Sequence, residues 1–107
     1  MTTNTFDSAL ARNVGTASVS VYTASSKCVV LQLDITNISI GARQATAWIT
    51  RGGNDYRLTY QTEVPVGNTL QVVYGQKVVL LNGDILKVSM DAATSADVVV
   101  SLLTNAI

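Results

Sequence analysis

Apolar and polar residues alternate along most of this chain, at the period of a strand and not of a helix. Between Ala17 and Tyr22, Ala17, Val19 and Val21 share one face while Ser18, Ser20 and Tyr22 share the other. The run KCVVLQLDITNI repeats the pattern, with Val29, Leu31, Leu33 and Ile35 expected inward and Gln32, Asp34 and Thr36 outward. From Arg43 to Arg51, the small face Ala45, Ala47, Ile49 opposes Thr46, Trp48 and Thr50. GGND follows as a reversal, because glycine and Asn/Asp supply the positive φ angles that tight turns need. The next run sets Tyr56, Leu58 and Tyr60 against Arg57, Thr59, Gln61 and Glu63, which predicts core packing for both tyrosines and for Leu58. Pro65, with no amide hydrogen for a ladder, ends that strand.

Leu70, Val72 and Tyr74 form a further strand face that Gly75-Gln76 interrupts. KVVLL and ILKVSM read as two strands hinged at Asn82-Gly83-Asp84, and DVVVSLL closes the series with Val98, Val100 and Leu102 toward the core. About eight short strands predict an all-β fold. The expected architecture is a single-domain antiparallel β-sandwich over residues 14–107, jelly-roll or immunoglobulin-like. Residues 1–13 are expected as an N-terminal arm, in which polar Thr2, Thr3, Asn4 and Thr5 precede the anchors Phe6 and Leu10. Such an arm is either a disordered terminus or a strap on a neighbouring subunit. FDSALARN offers at most a turn or two of helix.

Composition turns this architecture toward assembly. Among 107 residues, 48% are apolar and only 13% charged, with a mean hydropathy of +0.32. A small monomer has a large surface-to-volume ratio and should carry more charge, so part of this surface is expected to be covered by other subunits. Seven basic and seven acidic residues cancel, which leaves no long-range field to steer the chain toward nucleic acid or anionic lipid. No apolar run approaches the ~20 residues of a spanning helix. MTTNTFDSALARNVG lacks the basic start and apolar core of a secretion signal, so a product without a secretion address is expected.

Candidate chemistry is sparse. The chain has no histidine, which removes imidazole bases, Ser-His-Asp and Cys-His nucleophile systems and the commonest zinc ligand. Its one cysteine, Cys28, excludes an intrachain disulfide and reads as a small buried hydrophobe. The seven carboxylates are scattered over strand ends and turns, where Asp commonly satisfies backbone amides, Asp84 among them. The glycines lack the lysine and hydroxyl spacing of a phosphate loop. No enzyme, cofactor or metal site is expected. Arg43, Arg51 and Arg57 read as edge charges that discourage strand-to-strand aggregation. Trp48, in phase with two threonines, is a candidate interface anchor or sugar-stacking platform, with core burial in a twisted strand as the equal alternative. Phe6, Leu10, Trp48 and Tyr74 are the interface candidates. The rival from another class is a carbohydrate-binding module using Trp48, with Tyr74 as an optional second platform.

The segments VPVGNTL, GQKVVLLNGDILKVSM and SADVVVSLL carry a family likeness. They follow a Pro-x-Gly turn, a K-x-x-L-x-x-GD-x-L-x-V element and a closing DV-x-x-S strand, and together with NVGTASVSVYTASSKCVVLQLDITNI the likeness spans residues 13–107. In these features the chain resembles small virion proteins of tailed bacteriophages. The resemblance implies a non-enzymatic β-sandwich, made in the host cytoplasm and assembled on or within the virion. As a head decoration (cement) protein it would partner its own copies, as a homotrimer, and the major capsid protein; a neck or tail component is the other placement. Val66-Gly67, Lys77, Gly83-Asp84, Asp97 and Ser101 match the family pattern as fold-specifying positions.

Overall fold

The computed structural model describes residues 5–104, all of them strand, turn or loop. Eight strands are described: β1 (Thr5–Val14), β2 (Val19–Thr23), β3 (Cys28–Asn37), β4 (Arg43–Arg51), β5 (Asn54–Val64), β6 (Thr69–Leu80), β7 (Ile85–Met90) and β8 (Ala96–Thr104). They form two four-stranded sheets, ordered β1-β8-β3-β6 and β2-β7-β4-β5. Every described pairing is antiparallel, and β1 pairs β8, β2 pairs β7, β3 pairs β6 and β4 pairs β5. This is one long hairpin rolled up on itself, the jelly-roll arrangement, and it excludes the immunoglobulin-like alternative.

The roll starts at the β4–β5 reversal. Gly52 and Gly53 both have positive φ, 60° and 80°, the geometry of a type I′ turn whose twist matches the flanking strands. A Cβ at either glycine would meet nothing within 4 Å, so conformation and not space selects glycine here. GGND therefore makes the reversal expected from its residue types. Asn82-Gly83-Asp84 does not make the hairpin expected of it. The amide of Asp84 donates to the Leu81 carbonyl at 2.9 Å with Gly83 at φ 93°, but β6 and β7 lie in different sheets. The turn carries the chain across the sandwich and docks on the β2–β3 loop, through Gly83 N–H to the Ala24 carbonyl (2.7 Å) and Ala24 N–H to the Asp84 carbonyl (2.8 Å).

The core lies between the sheets and is aliphatic. Its largest fully buried side chains are Leu33, Ile35, Leu80, Leu86 and Leu102, with seven valines among them. Ala45, Ala47 and Ile49 on β4, and Val98, Val100 and Leu102 on β8, face inward as their alternation predicts. No aromatic ring is fully buried, although the chain has six. Cys28 is free and fully buried; burial raises the pKa of both its thiol and the Tyr22 hydroxyl. A thiol held in that state is a packing residue.

β-Bulges account for most departures from the expected faces. The register of β3 shifts between Val30 and Gln32 against both neighbours. Cys28, Val30, Leu33 and Ile35 therefore point inward, while Val29 turns outward. Two shifts in β5 separate the expected Tyr56, Leu58, Tyr60 stripe. Tyr56 lies opposite Ile49 on the inner side, yet is 57% exposed because the facing sheet does not cover the hairpin tip. Tyr60, 60% exposed, sits on the outer side with Arg57; only Leu58 packs partly against the core. β6 runs unbroken through Gly75, where one strand break was expected. Residues 5–13 of the expected arm form strand β1 at a sheet edge, with no helical turn; residues 1–4 lie outside the described residues.

The β3–β4 corner is built on one buried asparagine. Asn37 Nδ2 donates to the carbonyls of Gly41 and Val64, both at 2.9 Å, and its Oδ1 accepts from the amide and hydroxyl of Ser39. Replacing it with alanine takes a donor from the buried Val64 carbonyl, leaves the Gly41 carbonyl to the Ser39 hydroxyl, and frees the corner. Asn37→Ala is expected to lower stability by about 2–4 kcal/mol, measured as a shift in urea midpoint with unchanged slope. A midpoint equal to that of the native chain would show that water replaces these bonds at no cost.

Candidate functional site

The outer face of the β1-β8-β3-β6 sheet brings three of the four interface candidates together. Register aligns four rows of outward side chains across the strands. One row runs Phe6, Leu103, Val29, Val79; the next Ser8, Ser101, Gln32, Tyr74; the third Leu10, Val99, Asp34, Gln71. Asp97, Thr36 and Thr69 form the last. Phe6 is 79% exposed, Leu10 71% and Tyr74 61%, and Val79 and Val99 are nearly half exposed. An apolar band thus closes one end of the face, and Leu10 with Val99 form a second, shorter one confined to its β1-β8 half. A depression of about 360 Å³ borders the second, lined by Leu10, Ala11, Arg12, Asp97, Val98 and Val99.

Eight of the fifteen side chains in these rows are polar, and four of them pair with one another. Thr36 and Thr69 share a hydroxyl hydrogen bond of 2.9 Å, and Gln32 Nε2 donates to Asp34 Oδ2 at 2.6 Å. Asp34 Oδ1 is out of solvent with no donor among the described residues. Buried acceptors are normally satisfied, so this oxygen is available to a donor arriving from outside.

Sequence reasoning finds Phe6, Leu10 and Tyr74 but misses Val29, Val79, Val99 and Leu103. Val99 carried a signal: DVVV is apolar at consecutive positions, so one valine must face away from the core. Val29 carried none, because only the bulge at Leu31 turns it outward.

Trp48 lies on the opposite outer face, that of the β2-β7-β4-β5 sheet, and is half-buried. It stands in register between Lys87 on β7 and Arg57 on β5. The Arg57 guanidinium carbon is 6.0 Å from the Trp48 ring centre and 5.5 Å from that of Tyr60. Trp48 and Tyr74 are thus on opposite sides of the sandwich and cannot share one sugar.

The three arginines do not form a common patch. Arg43 and Arg51 occupy opposite ends of β4, and Arg57 stacks on the rings. Arg51 Nε forks onto Asp84 at 2.9 and 3.0 Å, and its Nη2 completes the pair. Asp84, nearly fully buried, also accepts the Leu81 amide at 2.8 Å. The pair ties the β4–β5 hairpin to the β6–β7 crossover. Hydrogen bonding from Arg51 holds the Asp84 carboxyl below its ordinary pKa, against the opposing effect of burial. A depressed carboxylate stabilises the fold above the unfolded-state value of about 3.9, and the contribution is lost as pH falls through the folded value. Asp84→Asn is therefore expected to flatten the melting-temperature profile below about pH 4; a profile parallel to that of the native chain would contradict this role.

Among the described residues, no three of the chain's Cys, Asp and Glu side chains converge as a metal site. Comparison of the chain with protein families, with curated proteins and with solved structures finds no match.

Proposed function

We propose that this chain is a structural virion protein of the tailed-bacteriophage kind, a capsid decoration protein that stabilises the head through contacts of its β1-β8-β3-β6 face. The observation that carries this reading is the apolar banding of that face, where Phe6, Leu10 and Tyr74 stand exposed beside Val79 and Val99. Aromatic side chains outside an aliphatic core are what association surfaces use. The partners are its own copies, as a trimer, and the major capsid protein; the chain would be made in the host cytoplasm and reside in the virion. Its sequence resemblance to small phage virion proteins points the same way.

Magnitudes favour a many-copy role over a lone tight pair. Four strands ~4.8 Å apart, each of about ten residues rising ~3.3 Å, span roughly 600 Å². That approaches the ~800 Å² per partner of a standard interface. At ~25 cal/mol per Å², the apolar part of such a contact contributes on the order of 10–20 kcal/mol. Association costs of ~4–15 kcal/mol and side-chain ordering offset most of it. A single contact is then modest, and repetition over a shell supplies the avidity.

The test is the solution mass of the purified protein followed by its binding to expanded capsids, with tails as the second arm. An oligomer that binds heads supports the reading. Binding to tails alone moves the placement to the neck or tail, and a monomer that ignores both overturns it.

A further inference from the structure

The face opposite the apolar one has a different chemistry. Trp48, Arg57, Tyr60 and Lys87 lie side by side on the outer surface of the β2-β7-β4-β5 sheet. Two cations flank the indole, and the only ion pair among the described residues is that of Arg51 with Asp84, elsewhere. The nearest carboxylate along β5, Asp55, already accepts the Thr50 hydroxyl at 2.7 Å. Arg57 is held against two rings, which fixes its planar fork while its N–H edges remain free. The Trp48 Nε1–H, out of solvent, meets no acceptor among the described residues.

A polar hollow of about 140 Å³ adjoins this cluster. It is lined by Gln44, Thr46, Gln61, Ser89, Met90 and Asp91. Thr46 and Ser89 are opposite each other in register, one outward position along from Trp48 and Lys87, so hollow and cluster share one face. Gln61 follows Tyr60 directly and donates its amide to the Thr46 hydroxyl at 3.0 Å.

From this juxtaposition we infer that the Trp48–Arg57–Tyr60–Lys87 face binds an acidic saccharide, a glycan bearing a carboxylate on a pyranose ring. The carboxylate accepts from Arg57 and Lys87, as charge-assisted bonds to a fork favour. The ring's C–H face lies on the exposed Tyr60, and its hydroxyls reach Gln44, Ser89 and Asp91 in the hollow. Nucleic acid fits less well, because this face carries two cations with Asp55, Glu63 and Asp91 around them and the chain has no net charge. A polyacidic peptide fits less well too, since it offers neither the hydroxyls for the hollow nor the ring for Tyr60.

The experiment is an NMR titration of the labelled protein that follows the Trp48 indole N–H. The probes are a hyaluronan tetrasaccharide and sialyllactose, which distinguish a uronate from a sialate as the source of the carboxylate. Cellotetraose, lactose, oligo-dT and a polyglutamate peptide are the comparisons. The expected result is that at least one acidic saccharide binds about tenfold or more tightly than every comparison. Arg57→Gln and Tyr60→Ala, both at exposed positions, are each expected to weaken that binding at least about fivefold, while serines at Phe6 and Leu10 leave it unchanged. No shift from either acidic saccharide at about 10 mM overturns the inference. So does equal binding of a neutral sugar, preference for oligo-dT or polyglutamate, or unaltered affinity in Arg57→Gln. Because the two faces are opposite, failure here leaves the proposed assembly role standing, and loss of assembly leaves this site testable.

Discussion

Leu33→Asp is expected to leave no folded protein, whereas Leu58→Asp folds and melts only modestly lower. Leu33 is fully buried on β3, in register between Val100 of β8 and Val73 of β6, with the second sheet above it. A carboxylate there has neither a partner nor a route to water. Burying it uncompensated costs more than the ~5–15 kcal/mol that holds a domain together. Leu58 is only half buried, on a bulged strand at the sheet edge, so an aspartate there can turn to solvent. Its alternation with Tyr56 and Tyr60 suggests a core position as deep as that of Leu33, and the two variants separate these pictures. Circular dichroism and urea unfolding read the result. The milder Leu33→Ala should still fold, with a loss of about 2.5–5 kcal/mol from the cavity it leaves. Two aspartate variants of equal stability would mean that the inner face is assigned wrongly.

Serines at Phe6 and Leu10 together are expected to reduce the purified protein to single chains of 11.3 kDa and abolish capsid binding. Both side chains stand more than two-thirds exposed on the edge strand β1, one in each apolar band. Removing them takes little from the fold, since exposed substitutions generally fall within about 0.5 kcal/mol each. They are the two most exposed large apolar side chains on the proposed association surface, and truncating large apolar groups is what weakens such contacts most. Tyr60→Ala on the other face is the control and should leave the assembled mass unchanged. An oligomer that survives the two serines would place the contact surface elsewhere on the molecule.

Strands that carry no extra residue themselves were legible in the sequence, and bulged strands were not. β4 and β8 alternate cleanly, and both present the faces that their residues predict. The β4–β5 turn was legible because two adjacent glycines between strands leave few other conformations. β5 misled because an extra residue inserted against β4 leaves no trace in composition, yet it reverses the side chains that follow until a second one restores them. β6 misled for a related reason: Gly75 adopts a positive φ within a continuous strand, at the point where the register with β3 shifts. β1 escaped notice because its outward residues include Phe6 and Leu10 while its inward ones are Asp7, Ala9 and Ala11. That pattern places the larger apolar groups away from the core. The same inversion is the strongest sign that something else covers them. Trp48 was singled out for its threonine neighbours, but its cationic neighbours come from β5 and β7, and only the folded sheet reveals them.

The pairing of β1 with β8 has a temporal consequence. Thr5 meets Thr104 and Phe6 meets Leu103, so one edge of the apolar face is assembled from segments almost a full chain length apart. During synthesis β1 must wait, unpartnered, until β8 leaves the ribosome, and contacts this distant in sequence form slowly. Phe6 and Leu10 come into line with Val29 and Val99 only when that last strand slots between β1 and β3. An unfinished polypeptide therefore lacks this face, and under the proposed assembly role only molecules that have completed their fold would be incorporated.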